Sequence, residues 1–164
     1  MGLFDGDGFG AFVSLSGDGR VVAVAADIYV AVFRNDGTDW FQIGQELGCE
    51  STIGVSQYVV ALSFDAKTVV IGEPEHTSDV SGPLAGRVFV YRLLSSGEEW
   101  IQVGHDFVGD FSSHHFGAAV SISDNGNRIA IGAPGPFSNS TVKCSTYNND
   151  KDTKRTTILH ILQR

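Results

Sequence analysis

The side chains able to do chemistry in this 164-residue chain are few and scattered. His114-His115 is an adjacent pair of metal-ligating type, with His76 and His105 elsewhere. Neighbours in a strand point to opposite faces, so the pair is badly placed to share one metal and reads as a solvated approach to a strand over Phe116 to Ile122. Asp5-Gly6-Asp7-Gly8 spaces two carboxylates as a hard-cation loop would, but Phe9 takes the place of the third ligand, which leaves a turn. Gly6-Asp7-Gly8-Phe9-Gly10 is glycine-rich yet leads into a strand, whereas a phosphate cradle needs a helix N-terminus behind it. Serines are abundant without a G-x-S-x-G elbow or a Cys-His arrangement to activate a nucleophile. Cys49 and Cys144 form neither a CxxC metal pair nor a disulfide framework and read as free thiols. No catalytic, cofactor-binding or metal-ligating residue is therefore assigned, and no cofactor is expected.

Charge narrows the partners. Eleven basic against 19 acidic residues give a net charge of −8, the wrong sign for neutralising phosphates or resting on an anionic bilayer. Nucleic acid is not an expected partner. No stretch approaches the roughly 18 to 20 apolar residues a membrane helix needs, so no membrane insertion is expected. Met1-Gly2-Leu3-Phe4-Asp5-Gly6 has neither a basic head nor an apolar core, so no export signal is expected and the compartment stays unassigned. Every glycine lies at or before Gly135, and Lys143, Lys151, Lys154, Arg155 and Arg164 outnumber the acids of the last segment. Two compositions are joined near residue 135.

The elements that would position any site repeat along the chain. Phe9-Gly10-Ala11, Ser14-Leu15-Ser16 and Val22-Ala23-Val24 match Phe116-Gly117-Ala118, Ser121-Ile122-Ser123 and Ile129-Ala130-Ile131. A middle copy sets Leu62-Ser63, Asp65 and Val69-Val70-Ile71 on Leu15-Ser16, Asp18 and Val22-Ala23-Val24. It has lost the Phe-Gly pair and reads Gln57-Tyr58 nearby. Trp40-Phe41-Gln42-Ile43-Gly44 is echoed by Trp100-Ile101-Gln102-Val103-Gly104, each followed by an acidic and then an apolar residue. The period is about 50 to 60 residues. Within a copy the apolar residues recur at spacing two, and Ser16-Gly17-Asp18-Gly19, Asn35-Asp36-Gly37, Ser95-Ser96-Gly97 and Asp124-Asn125-Gly126 supply hairpin turns. In the first copy this predicts strands near Phe9 to Leu15, Arg20 to Ala25, Ile28 to Arg34 and Trp40 to Ile43. Four-stranded antiparallel units at this period are the blades of a β-propeller.

The third copy, Phe116-Gly117 followed by Gly132-Ala133-Pro134, resembles the FG-GAP repeat of integrin-α-type β-propellers. The second copy keeps Gly72 and Pro74 around Glu73, and the first has Ala25-Ala26-Asp27 there. The resemblance covers about residues 5 to 135. It implies a propeller with binding loops at its ends, and many such repeats carry a calcium loop, D-x-[DN]-x-D-G-x-x-D. Setting the fifth loop position on Asp18, Asp65 or Asn125 puts Ser14, Ala61 or Ser121 first, Ser16, Ser63 or Ser123 third, and Val22, Val69 or Ile129 ninth. Apolar ninth positions cannot replace a carboxylate, so these read as plain hairpins. The sialidase Asp-box fails at the same turn, because Gly19 comes one residue early and no Trp follows. Arg20, Arg34, Arg87, Arg92 and Arg128 share no spacing that would grip a carboxylate.

The fold expected is all-β: an incomplete β-propeller of two four-stranded blades plus the start of a third, at about 5–55, 56–110 and 111–135, with an atypical, irregular polar and basic tail over 136–164. The strand Gly86-Arg87-Val88-Phe89-Val90-Tyr91 has no counterpart after Gly135, and Lys143 to Asp152 stands instead, as from a truncated gene copy, a frameshift or a misread exon boundary. Trp40 and Trp100 share one repeat position and are expected to pack between blades, with glycan stacking as the other use of an exposed indole. Asn139-Ser140-Thr141 is a glycosylation sequon that matters only on export. The terminal blades need a partner, so self-association or further blades of a longer, extracellular or ectodomain parent are expected. The function expected is a non-catalytic protein or glycan interaction module, contacting its ligand through Glu73 to Ala85 or Gly44 to Val55. Two alternatives compete: part of a larger propeller hydrolase or quinone-dependent enzyme with its catalytic residues in other blades, and a non-functional truncated product.

Overall fold

A computed structural model describes residues 6–48, 57–135, 141–146 and 155–159 of the chain. All regular structure among them is β. The elements are β1 (Phe12–Leu15), β2 (Val21–Ala25), β3 (Val30–Asn35) and β4 (Trp40–Gln42); β5 (Val59–Leu62), β6 (Thr68–Glu73), β7 (Arg87–Leu93), β8 (Trp100–Gln102) and β9 (Phe107–Val108); then β10 (Ala119–Ile122), β11 (Arg128–Ala133), β12 (Thr141–Thr146) and β13 (Arg155–Leu159). They make three antiparallel meanders in chain order, with β9 paired beside β8 on β7. The all-β, bladed reading holds, and the first-copy strands fall near their expected places, with β1 beginning at Phe12 rather than Phe9 and β3 at Val30 rather than Ile28.

Side chains alternate between the two faces of each sheet, and the second sheet buries both of its faces. In the first sheet Val21, Ala23, Ala25, Val30 and Val32 turn towards Val60, Leu62, Val69, Ile71 and Trp100 of the second. The opposite face of the second sheet, Ala61, Val70, Val88 and Val90, meets Ile129, Ile131 and Ala133 of the third. At about 1.5–3 kcal/mol for each fully buried aliphatic side chain, these two interfaces dominate the stability of the stack.

Two glycine positions explain the repeated motif. The fourth strand breaks at Gly44 and at Gly104, with φ of 71° and 72°, and resumes as a Leu47 bridge to Val30 in the first sheet and as Phe107 opposite Val88 in the second. That bend is why the Trp-x-Gln-x-Gly run and its trailing apolar residue recur together. The Phe116-Gly117 pair lies directly on the second sheet: a Cβ on Gly72 would collide with the Gly117 carbonyl oxygen. Phe-Gly of one blade and the first glycine of Gly-Ala-Pro in the blade before it are thus one contact between two backbones.

The segment after Gly135 carries strands that the repeat pattern does not announce. β12 pairs with β11 through Ala133–Thr141 to Arg128–Thr146, and β13 pairs with β12, so the third sheet has four strands. Thr141, Val142, Thr146, Thr156, Thr157 and Ile158 are β-branched, which suits a pleated strand without any Val-x-Val signature. β11 would otherwise end the sheet with a row of unpaired backbone groups. Cys49 to Val55, half of one expected contact segment, and the sequon residue Asn139 lie outside the described residues, whereas Cys144 pairs opposite Ala130.

Candidate functional site

The connections fall at two ends of the sheets, and they differ in build. At one end are three tight turns made alike. Ser16 Oγ donates to Asp18 Oδ1 at 2.7 Å while the Arg20 and Val21 amides donate to Asp18 Oδ1 and Ser16 Oγ at 3.0 and 2.9 Å. Ser63 and Asp65 repeat this with the Lys67 and Thr68 amides, and Ser123 and Asn125 with the Asn127 and Arg128 amides. The Arg20 amide and the Ser16 hydroxyl hold the Asp18 carboxyl below its ordinary range. These residues have the hairpin role that the sequence suggests, and the Oδ1 atoms of Asp18, Asp65 and Asn125 each accept two hydrogen bonds within the turns.

At the other end lie the long loops. The connection from Glu73 to Arg87 leaves β6, forms a small bridge between Ser78 and Gly82, and returns to β7. It is fastened from the third repeat: the Ser113, His115 and Phe116 amides donate to the Pro83, Leu84 and Ala85 carbonyls at 2.9, 3.0 and 3.0 Å. Gly86 donates to the His76 carbonyl at 3.1 Å, which closes the base of the loop.

Under that base is a charged cluster that spacing did not reveal. Glu73, buried, takes the alanine position of the Gly-Ala-Pro motif and accepts from Arg87 Nε. Arg87 Nη1 lies 3.6 Å from Asp106 Oδ2, and its guanidinium carbon stands 4.6 Å above the Phe89 ring. His76 Nδ1 is 3.9 Å from Glu73 Oε2. Burial pushes the His76 pKa down, and the Arg87 charge adds to this against the opposing pull of Glu73 and Asp106. Arginine held by a buried carboxylate at Nε, with a second carboxylate near Nη1 and an aromatic face beneath it, is a structural clasp. In the first sheet the corresponding places hold Ala26 and Tyr29, and the Tyr29 hydroxyl donates to Asp7 Oδ2 at 2.9 Å. One signal could have pointed to the clasp: Glu73 is a charged residue at a repeat position that is alanine in the other copies.

Above the clasp the loop surface exposes apolar side chains among the acids Glu75, Asp79 and Asp110. Val80 at the loop tip is 96% exposed and Phe111 is 64% exposed. Gly82 meets Ser112, next to Phe111, so tip and aromatic belong to one surface. His114-His115 lies in this connection, which leads to β10, a strand that begins at Ala119 rather than at Phe116. His115 has φ of 49°, and the His114 ring packs edge-on against Phe111 at 5.0 Å. Among the described residues no three His, Cys, Asp or Glu side chains group as a metal set, and no helix is long and apolar enough to cross a membrane.

Trp100 and Trp40 part company. Trp100 is buried between the first two sheets, its Nε1 donating to the Ile43 carbonyl at 3.0 Å, and the Gln45 amide group holds its backbone at both ends, at 2.6 and 3.1 Å. Trp40 is about half exposed. The expectation that both pack between blades holds for Trp100 alone, since Trp40 faces the side of the first sheet that no other described sheet covers.

No protein-family model and no curated protein matches the sequence. Solved structures do. The chain is similar to a candidate 6-phosphogluconolactonase of Bacteroides fragilis, with TM-score 0.59 and 14% identity over 91% of this chain and 38% of that one. A candidate 6-phosphogluconolactonase of Bacteroides uniformis gives 0.58 and 15% over 91% and 40%, and Sqt1 of Saccharomyces cerevisiae gives 0.62 and 10% over 94% and 35%. The class these likenesses and the three meanders define is the β-propeller type of fold. The chain spans between 35% and 40% of the length of the structures it matches.

Proposed function

We propose that the chain is a non-catalytic interaction module built of FG-GAP-like propeller blades, which contacts a protein or glycan partner through the Glu73 to Ala85 loop and the adjoining Phe111 connection. The observation that carries this reading is the pairing of rigidity with exposure: a loop fastened by three backbone hydrogen bonds and underpinned by the Glu73–Arg87 clasp presents Val80, Leu84 and Phe111 to solvent. Apolar side chains on a preordered loop bind with little ordering cost, which is how interface anchors act. The test compares partners cross-linked to the chain with those cross-linked to a Val80→Ser, Phe111→Ser double variant. The reading expects a partner lost from the variant and retained by a Trp40→Ser control. The same partners on all three chains would overturn it.

The uncovered face of the first sheet fits a further blade, from a second copy or from a longer parent. Its residues repeat those by which the second sheet receives the first. A second reading, a portion of a propeller enzyme, is favoured by the names of two matched structures. It expects turnover of 6-phosphogluconolactone by the chain or by its assembly, and the module reading expects none.

A further inference from the structure

We propose that the groove between the first two sheets, at the end opposite the long loops, binds a small organic anion through Arg34 and Lys67. The groove holds about 470 Å³, within the roughly 300–1,000 Å³ typical of small-ligand sites. Arg34 projects from β3 on the face that meets the second sheet, and its Nη1 lies 4.0 Å from where a Cβ on Gly97 would sit. Lys67 comes from the β5–β6 turn, which is tied to β7 by the Leu93 amide donating to the Lys67 carbonyl at 2.9 Å. Leu93 and Leu94 form an apolar wall. Head-group charge and a short hydrocarbon wall together describe a phosphate or carboxylate carried on a small apolar body.

Three observations make this more than two cations on a surface. Among the described residues neither Arg34 nor Lys67 has an ion-pair partner, although acids outnumber bases 19 to 11 in the chain. The carboxylate that lines the groove, Asp65, already accepts at its Oδ1 from Ser63 Oγ and the Lys67 amide at 2.6 and 3.1 Å. A half-buried guanidinium has shed part of its hydration, and an anion with two oxygens restores it through parallel hydrogen bonds. The pair is also not a by-product of the repeat. Arg34 and Arg92 hold equivalent places, opposite Val21 and Thr68. The place of Lys67 is taken by Asn127 in the third turn, so the second and third sheets combine Arg92 with Asn127.

The experiment is a titration of the isotope-labelled chain with phenyl phosphate, followed through the backbone amide resonances of Lys67 and Leu94 to Gly97, with benzoate in parallel to separate phosphate from carboxylate. Saturable shifts at these amides with either compound are expected. Arg34→Gln should weaken binding about tenfold and Lys67→Gln about threefold, as charge-assisted hydrogen bonds at a partly open site do, while Arg128→Gln changes nothing. Neither substituted residue supports the fold through an ion pair, so the melting temperature should be unchanged. Absence of saturable shifts with both compounds, or equal affinity in Arg34→Gln, overturns the proposal. The site uses neither the Val80 loop nor the uncovered face of the first sheet, so a Leu15→Asp chain should bind equally and the two readings fail separately.

Discussion

The first and second sheets present the same residues to opposite circumstances. Val60, Leu62 and Trp100 of the second sheet are 7%, 6% and 2% exposed, because the first sheet lies on them; Val13, Leu15 and Trp40, their repeat equivalents, are 63%, 58% and 48% exposed. Residue type and strand register are shared, so the difference comes from the neighbour. On the reading proposed above, that face of the first sheet receives another blade, which would cover Val13, Leu15 and Trp40 as the first sheet covers their equivalents.

The largest expected effect comes from breaking the covered version. Trp100→Ala should destabilise the chain by about 3–5 kcal/mol in urea melts, since it removes a buried indole and its bond to Ile43, and Trp40→Ala by about 0.5 kcal/mol or less. Equal losses would show that Trp40 is buried in solution. Glu73→Ala should cost about 3–5 kcal/mol by leaving Arg87 without its main partner, whereas the pair-removing Glu73→Ala, Arg87→Met chain should recover much of that; a double variant no better than the single one would deny the clasp. Gly72→Ala should cost about 1–3 kcal/mol through its clash with Gly117, measured the same way. Its counterpart in the first sheet is already Ala25, so the repeat itself tolerates a methyl where no Phe-Gly pair follows.

The smallest effect is electrostatic. The His76 pKa lies below its ordinary value, so the folded chain binds a proton there less readily than the unfolded chain. Its contribution to stability is complete above the unfolded pKa, about 6.5, and is lost as pH falls through and below that value. An NMR titration of the imidazole resonances should give His76 a midpoint below the ordinary histidine value, and Arg87→Gln should raise it. A His76 midpoint at or above that ordinary value would contradict the packing described for the loop base.

Much of this arrangement is legible in the residues. Because strands and tight turns are specified locally, period-two alternation and Asn, Asp and Gly punctuation mark β1 to β8, β10 and β11, but not the two-residue β9. The Ser-x-Asp turns are readable for the same reason. The fourth-strand break is recorded in Gly44 and Gly104 as a recurrence whose cause only the backbone shows. What escapes is whatever depends on which surface meets which. Trp40 and Trp100 are alike in sequence and differ only in having a neighbouring sheet. β12 and β13 lack the repeat signature and gain their strand structure by pairing, β12 on β11 and β13 on β12. Glu73 and Arg87 are brought together across a hairpin, and Arg34 and Lys67 line one groove from two sheets, so neither pair leaves a spacing to read.

Sedimentation equilibrium of the chain and of its Val13→Asp, Leu15→Asp variant, over a hundredfold range of concentration, tests the central claim most directly. The account predicts concentration-dependent association of the unaltered chain, lost in a variant that keeps its β-sheet circular dichroism and its cooperative melt. A chain that remains a cooperatively melting monomer throughout, or a variant that associates as strongly, would contradict the claim that the face of the first sheet is built to receive another blade.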